Sequence, residues 1–169
     1  MAEVVVREAG PAERETVVAL LTGSWGSTVV VAHGVRYDAA ELPALLAWSE
    51  GEPVGLLTYV IGDDGLEVVT LDAVVPRAGA GTALLAAAAE RAWAAGADRL
   101  WLITTNDNLD ALRFYQRRGL RIVAVVPGAV DEGRRLKPTI PLVGDHGIEI
   151  HDELVLEMRR PGDGGRPAR

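Results

Sequence analysis

The segment from Asn108 to Leu120 reads NLDALRFYQRRGL. Asn108, Ala111, Tyr115 and Gly119 are spaced three, four and four apart, so on a helix they share one face. Asn108 is a residue type that caps a helix start, and Gly119 one that ends a helix in the left-handed conformation. Small Ala111 lets a partner approach closely, and Tyr115 offers a hydroxyl one turn further on. A second segment, AVVPRAGAGTALL at residues 73–85, reads as a strand that breaks at Pro76. It passes through a small-residue turn and opens a helix at about Gly81. Such a turn exposes backbone N–H groups at the positive end of a helix, a place suited to an anion such as a pyrophosphate.

The glycine turn has rivals. Gly79 and Gly81 also begin the dinucleotide fingerprint, but its third glycine falls on Leu84, and no strand–helix–strand lead precedes it. The P-loop fails because no Gly-Lys-Ser/Thr follows. A plain turn that uses glycine for sharp geometry remains the bland alternative.

Taken together, the two segments resemble the GNAT superfamily of N-acetyltransferases, in a bacterial branch of unassigned acceptor. The resemblance is closest over Val54 to Gly119. The family's cofactor loop, Gln/Arg-x-x-Gly-x-Gly/Ala, is matched in its second half by Gly79-Ala80-Gly81. Its first position falls on Pro76, with Arg77 one residue away. The later signature, Asn-x-x-Ala-x-x-x-Tyr-x-x-x-Gly-Phe, is matched everywhere except the last position, which is Leu120. The resemblance implies an α/β (α+β) fold with a mixed, mostly antiparallel sheet flanked by helices and splayed at the cofactor site. It implies acetyl-CoA as cosubstrate, held by Val74, Val75, Arg77, Ala78, Gly79, Ala80, Gly81, Thr82, Asn106, Asn108, Ala111 and Tyr115. Tyr115 would protonate the leaving thiolate, and Glu67, on the strand before the turn, would deprotonate the amine through water. The acceptor would be the amine of a small molecule or peptide, attacking directly.

Each of these residues has a structural alternative. Tyr115 at helical spacing can simply fill a helix–sheet interface, and Glu67 can be a solvated strand residue. Asp72 stands in an apolar run and should have a partner or a raised pKa. Strict alternation puts Glu67 and Asp72, five apart, on opposite strand faces. A CoA-binding sensor or interaction module without catalysis is the alternative function. A cofactor-free structural domain is a third.

Composition sets bounds. A chain of 169 residues fits one core, read as one domain over 1–160 with a disordered tail at 161–169. With 49% hydrophobic residues it is a folded protein. The absence of cysteine excludes disulfides, thiolate metal sites and a cysteine nucleophile. No apolar run suggests a membrane span, so the expected location is cytoplasmic. A net charge of −7 disfavours nucleic acid and membrane phosphates. A homodimer is a possible assembly.

The remaining elements follow from pattern. Strands are expected at Val4–Arg7, Ala44–Ser49, Val54–Ile61, Leu66–Val75, Arg99–Thr104, Arg121–Val126 and Ile148–Met158. Helices are expected from Pro11 to Leu21, ended by Gly23, and over Gly81–Ala95 and Asn108–Arg118. Residues 24–38 have no clear pattern, though Thr28–Ala32 can be a strand or a segment over the active site. Residues 127–147 are too long for a plain connector. Asp145, His146, Glu149, His151, Asp152 and Glu153 look like a ligand cluster but lack a recognised metal spacing, and no metal is expected. The basic run Arg134-Arg135-Leu136-Lys137 is either a solvated face or an anchor for the long loop. Trp25 either lines an acceptor pocket or belongs to the core.

Overall fold

The computed structural model describes residues 2–75 and 78–162. In chain order it contains β1 (Val5–Glu8), α1 (Arg14–Trp25), β2 (Val29–Ala32), β3 (Val35–Asp38), β4 (Ala44–Ser49), β5 (Glu52–Gly62), β6 (Gly65–Ala73), α2 (Ala80–Ala94), β7 (Arg99–Thr105), α3 (Leu109–Arg117), β8 (Arg121–Val126), α4 (Ala129–Gly133) and β9 (Glu153–Arg159). Seven strands form one sheet in the order β1-β4-β5-β6-β7-β9-β8, and β2 and β3 pair as a separate hairpin. All neighbours in the large sheet are antiparallel except β6 and β7. This is the mixed, mostly antiparallel sheet flanked by helices that the motifs imply.

Each sheet face has its own core. On one face the alanine-rich α2 buries Ala80, Leu84, Leu85, Ala88 and Ala92 against Leu45, Leu57, Leu66, Leu100, Leu102 and Leu156. Its small side chains let the helix lie close to the strands. Each fully buried leucine contributes about 1.5–3 kcal/mol. On the other face Val17 and Leu21 of α1 and Val30 of the hairpin cover Ala44, Leu46 and Leu56.

The feature that makes a site is in β6. Thr58 of β5 pairs with Thr70, and Tyr59 pairs with Val68, so Val69 is an extra residue in β6. Such a bulge bends its strand and disrupts the ladder. The parallel ladder to β7 comprises Leu66–Val68 with Leu100–Leu102 and goes no further. Beyond it β6 and β7 run apart to Ala73 and Thr105. The bulge also resets the alternation. Leu66 and Val68 before it and Leu71 after it all pack on the α2 side. Glu67 and Asp72 therefore emerge on the same face, toward α1 and the hairpin, and the expectation of opposite faces is corrected.

Several boundaries differ from the pattern-based expectation. Helix α1 continues through Gly23 to Trp25 and ends at Gly26, whose φ is +74°. The unassigned stretch 24–38 contains a hairpin with His33 and Gly34, both at positive φ, as its two-residue turn, the geometry of a primed turn. Strand β9 starts later than expected. The Asn106 side-chain oxygen accepts the N–H groups of His151 and Asp152 at 2.9 and 3.0 Å and ties down the chain before it. The long 127–147 segment contains α4 and is anchored by Arg134, which donates to the carbonyls of Pro141 and Ile150 at 2.7 Å and to Asp131 at 2.6 Å. Residues 163–169 of the expected tail lie outside the described residues.

One close approach joins β5 to the start of α2. A Cβ added at Gly55 would lie 2.9 Å from Leu84 Cδ1, 3.0 Å from the Asp72 carbonyl oxygen and 3.2 Å from Ala80 Cβ. Gly55→Ala should therefore destabilise the fold by about 1–3 kcal/mol, as overpacking does. Urea unfolding checks this, and a change within about 0.5 kcal/mol, the range of ordinary surface substitutions, contradicts the packing described.

Candidate active site

Where β6 and β7 separate, they leave a cleft of about 870 Å³. One wall is β6 from Val68 to Ala73, and the opposite wall is Leu102, Ile103 and Thr104 of β7. Helix α3 closes it with Asn108, Ala111 and Tyr115, the residues whose spacing marked one helix face. Gly119, at φ +93°, ends that helix as expected.

The start of α2 borders the cleft through Gly81. Gly79 precedes the helix at φ +81°, and Ala83 N–H donates to its carbonyl at 3.0 Å. The N–H groups of the first helical turn thus have no partners within the helix. A fixed cation stands beside them. Arg118 Nε donates to Thr82 Oγ1 at 2.8 Å, its Nη1 donates to the Phe114 carbonyl at 2.9 Å, and its guanidinium lies 3.7 Å from the Phe114 ring centroid. Arg113 and Arg117 also line the cleft. Sequence reading missed these arginines, although Arg117 and Arg118 follow directly on Tyr115 and Gln116. Gly81 also has a packing role, since a Cβ there would meet the Phe114 ring at 3.0 Å. Ala78 and Thr82 flank this turn, Val74 and Val75 are about half exposed at the end of β6, and Arg77 lies outside the described residues.

Tyr115, Asp72 and Trp25 all line the cleft. Trp25 Nε1 donates to Asp72 Oδ2 at 2.7 Å. Trp25 is 42% exposed and lines the cleft, so it is not a core residue. Burial raises the Asp72 pKa above its usual value, opposed by the bond from Trp25. Burial, followed by the negative charge of Asp72, pushes the Tyr115 phenol up to about 12. The phenol is therefore protonated throughout the neutral range.

The two asparagines part company. Asn108 does not cap α3 with its side chain. Its Nδ2 donates to Thr104 Oγ1 at 3.1 Å across the cleft wall, so the expected capping role is corrected. Asn106 does not line the cleft. Its Nδ2 donates to the Glu149 carbonyl at 2.9 Å while its oxygen holds His151 and Asp152. Both ends of this amide take part in tying the long loop to β7.

Glu67 does not itself line the cleft; it precedes Val68, the first residue of β6 that does. Glu67 is 6% exposed and satisfied by two groups of the hairpin. His33 Nε2 is 2.7 Å from Oε1, and the Tyr37 hydroxyl donates to Oε2 at 2.9 Å. His33 N–H donates to both oxygens of Glu153 at 3.2 Å. Burial, followed by the bond to Glu67, raises the Tyr37 pKa. Glu67 is thus no solvated strand residue. Sequence reading missed His33, Tyr37 and the role of Glu153. The available signal was a glycine-containing pair, His33-Gly34, between the valine run 29–31 and Val35-Arg36-Tyr37.

The other candidates have separate partners. His151 Nδ1 is 3.0 Å from Asp131, and His146 Nε2 is 3.7 Å from Asp110, all at the surface. Lys137 Nζ donates to the Val29 carbonyl at 2.8 Å, which, with Arg134, makes the basic run an anchor of the long loop. Among the described residues no three His, Asp or Glu side chains gather as a metal site.

Comparison with known proteins agrees with this architecture. Residues 16–120 match the model of the Acetyltransferase (GNAT) family. The Bacillus subtilis (strain 168) protein YdhI is 42% identical over 133 residues, covering 78% of this chain and 83% of its own. The IAA acetyltransferase from Bacillus cereus ATCC 14579 superposes with a TM-score of 0.73 at 19% identity, covering 94% of this chain and all of its own. A Bacillus subtilis acetyltransferase in complex with CoA superposes with a TM-score of 0.65 at 19% identity, covering 95% and 99%. The chain belongs to the GNAT acetyltransferase family.

The Asp72 environment makes a prediction with a sign. Its pKa is raised on folding, so the ionised carboxylate opposes folding once the pH exceeds the ordinary value of 3.8. Asp72→Asn keeps an oxygen for Trp25 and removes the charge. It should stabilise the fold at pH 7, with a gain that disappears below the ordinary carboxyl pKa, where the native carboxyl is protonated in both states. Denaturation at several pH values measures this. Ultraviolet titration should show the Tyr115 phenol at a lower pKa in the variant. Lower stability at pH 7 would mean that the Trp25 bond outweighs the burial.

Proposed function

We propose that this protein transfers an acetyl group from acetyl-CoA to an amine of a small molecule or peptide. The observation that carries the reading is the cleft. A strand edge freed by the bulge lies between a cationic helix start and a phenol held in its protonated form. The pantetheine arm would lie along β6 between Val69 and Ala73, with the diphosphate over the first turn of α2 and Arg118. Among solved GNAT structures of this fold, those from Bacillus subtilis and Elizabethkingia anophelis contain CoA and acetyl-CoA respectively, which supports the cosubstrate. One from Arabidopsis thaliana, Naa50, contains a bisubstrate analogue joining CoA to a peptide, which supports an amine acceptor of that class.

In this reading the amine nitrogen attacks the thioester carbonyl, the carbon–sulfur bond breaks, and CoA leaves as a thiolate. Glu67 accepts the amine proton through a water molecule. Tyr115 donates to the departing sulfur. A phenol near 12 is a weaker acid than a thiol of about 8.5, so complete proton transfer is uphill. The phenol acts by a hydrogen bond to the developing charge, a bond of about 1.5–3 kcal/mol. The acidic, cysteine-free sequence supports work in the cytoplasm. Strand β8, an apolar edge with Val125 56% exposed, supports pairing of two copies, because unpaired edges seek a partner.

A panel of primary amines with acetyl-CoA and mass detection tests the reaction. Binding of CoA without transfer to any amine would assign the chain to the non-catalytic class. Tyr115→Phe should lower turnover by about 10–100-fold, the equivalent of that hydrogen bond, with little change in CoA affinity. Unchanged turnover removes Tyr115 from the chemistry. Thr82→Glu tests the phosphate position. A carboxylate in the first turn of α2 suits the helix dipole and should preserve stability. It should also repel the diphosphate and abolish the thermal stabilisation by CoA, which at 100 times the dissociation constant is about 2.7 kcal/mol in the native protein. A variant that binds CoA normally would put the phosphates elsewhere.

A further inference from the structure

The hairpin β2–β3 has an unusual residue at its turn. His33 has φ +41° and is followed by Gly34 at +75°. Two-residue turns of this kind favour Asn-Gly, Asp-Gly or Gly-Gly, and His is, with Asn and Asp, among the side chains found at positive φ. The chain places an imidazole there. Strained positions persist where the surroundings hold them, and they gather at functional sites. Here the surroundings are explicit. The His33 N–H donates to Glu153, its ring centroid lies 5.4 Å from Trp101, and its Nε2 reaches Glu67 at 2.7 Å.

The exposures of the pair are unequal. The Glu67 side chain is 8% exposed and that of His33 is 32%. A buried carboxylate that takes a proton must return it to solvent before the next turnover. The imidazole is in contact with Glu67, also reaches water, and has two ring nitrogens, one to take a proton and one to release it. Tyr37 is 3.1 Å from the same ring nitrogen and donates to the other Glu67 oxygen, which holds the carboxylate in place while the proton moves.

We infer that His33 is a relay and positioning residue, which keeps Glu67 oriented and carries its proton to solvent. This rests on the reading of Glu67 as the base. The proton balance is simple. The amine proton passes through a water molecule to Glu67, which becomes neutral. While Glu67 is a carboxylate, the His33 Nε2–H donates to it. Once Glu67 is neutral, the His33 tautomer with its proton on Nδ1 takes the Glu67 proton at Nε2. Glu67 is again a carboxylate, and His33 is an imidazolium. Water or buffer removes the Nδ1 proton, which leaves Nε2–H donating to the carboxylate, the starting state.

The test uses the full chain, acetyl-CoA, and ethylamine at high concentration as a generic acceptor, with release of CoA as the readout. Three variants are compared. His33→Asn suits the turn and should fold at least as stably as the native protein. It does not carry a proton, so kcat should fall about 10²-fold, the lower end of proton-transfer effects, with an unchanged KM for acetyl-CoA. His33→Gly should lose activity similarly, and added imidazole should restore it, which a purely structural role of the side chain does not predict. Glu67→Gln should be inactive and insensitive to imidazole. Native kcat in His33→Asn, or no rescue of His33→Gly, overturns the relay. If Glu67→Gln retains full activity, the assignment of Glu67 fails as well. Absence of transfer by the native protein to ethylamine and to every amine of the panel contradicts both.

Discussion

The single extra residue at Val69 governs the arrangement of everything functional in this protein. A continuous parallel ladder between β6 and β7 would satisfy the backbone groups of both strands and leave no cleft. The bulge bends β6 after Val68, and the ladder to β7 stops there. The freed edge then has backbone donors and acceptors facing a cavity, which makes it a template for an extended ligand. The same residue reverses the alternation. It turns Asp72 toward Trp25 at the end of α1, and leaves Glu67 toward the hairpin.

Burial decides the electrostatics along that strand. Asp72 and Glu67 each sit in surroundings that penalise charge, and the chain handles them differently. Asp72 has one donor, Trp25, and desolvation prevails, so its pKa rises. Its residual charge then helps to keep the Tyr115 phenol protonated. Glu67 receives two donors, His33 and Tyr37, from a hairpin built across its face. A carboxylate with two donors tolerates burial. The cleft thus holds a phenol that is protonated at neutral pH, and a hydrogen-bonded carboxylate stands next in the chain to its lining residue Val68, the polarity that moving a proton away from an amine and hydrogen-bonding a leaving thiolate would use.

The helix face Asn108, Ala111, Tyr115 was legible in the sequence because a period of 3.6 residues is a strong local signal. The glycine turn before α2 was legible because left-handed geometry demands glycine. The sheet class followed from the succession of strands and helices. The bulge leaves a mark too, the doubled valine of LEVVTLDA that shifts the alternation by one residue, but a reading by strict alternation passes over it and puts Glu67 and Asp72 on opposite faces. What the sequence hid was non-local. Asn108 has the residue type of a cap but bonds across the cleft wall to Thr104, and Asn106 is claimed by a loop more than 40 residues away in sequence. His33 and Tyr37 lie in a stretch without helical or strand periodicity, and their meaning depends on a contact with β6 that topology alone creates. Arg118 was overlooked because its partner, Thr82, belongs to a different helix.

The account depends on the parted strands being the cofactor site, and a crystal structure of the protein with acetyl-CoA tests that most directly. The expected result is a pantetheine arm hydrogen-bonded to the β6 backbone between Val69 and Ala73, a diphosphate at the first turn of α2 beside Arg118, and the thioester sulfur within hydrogen-bond reach of the Tyr115 hydroxyl. Acetyl-CoA bound outside the cleft, or β6 and β7 paired without interruption beyond Val68 and Leu102 in the complex, would contradict it.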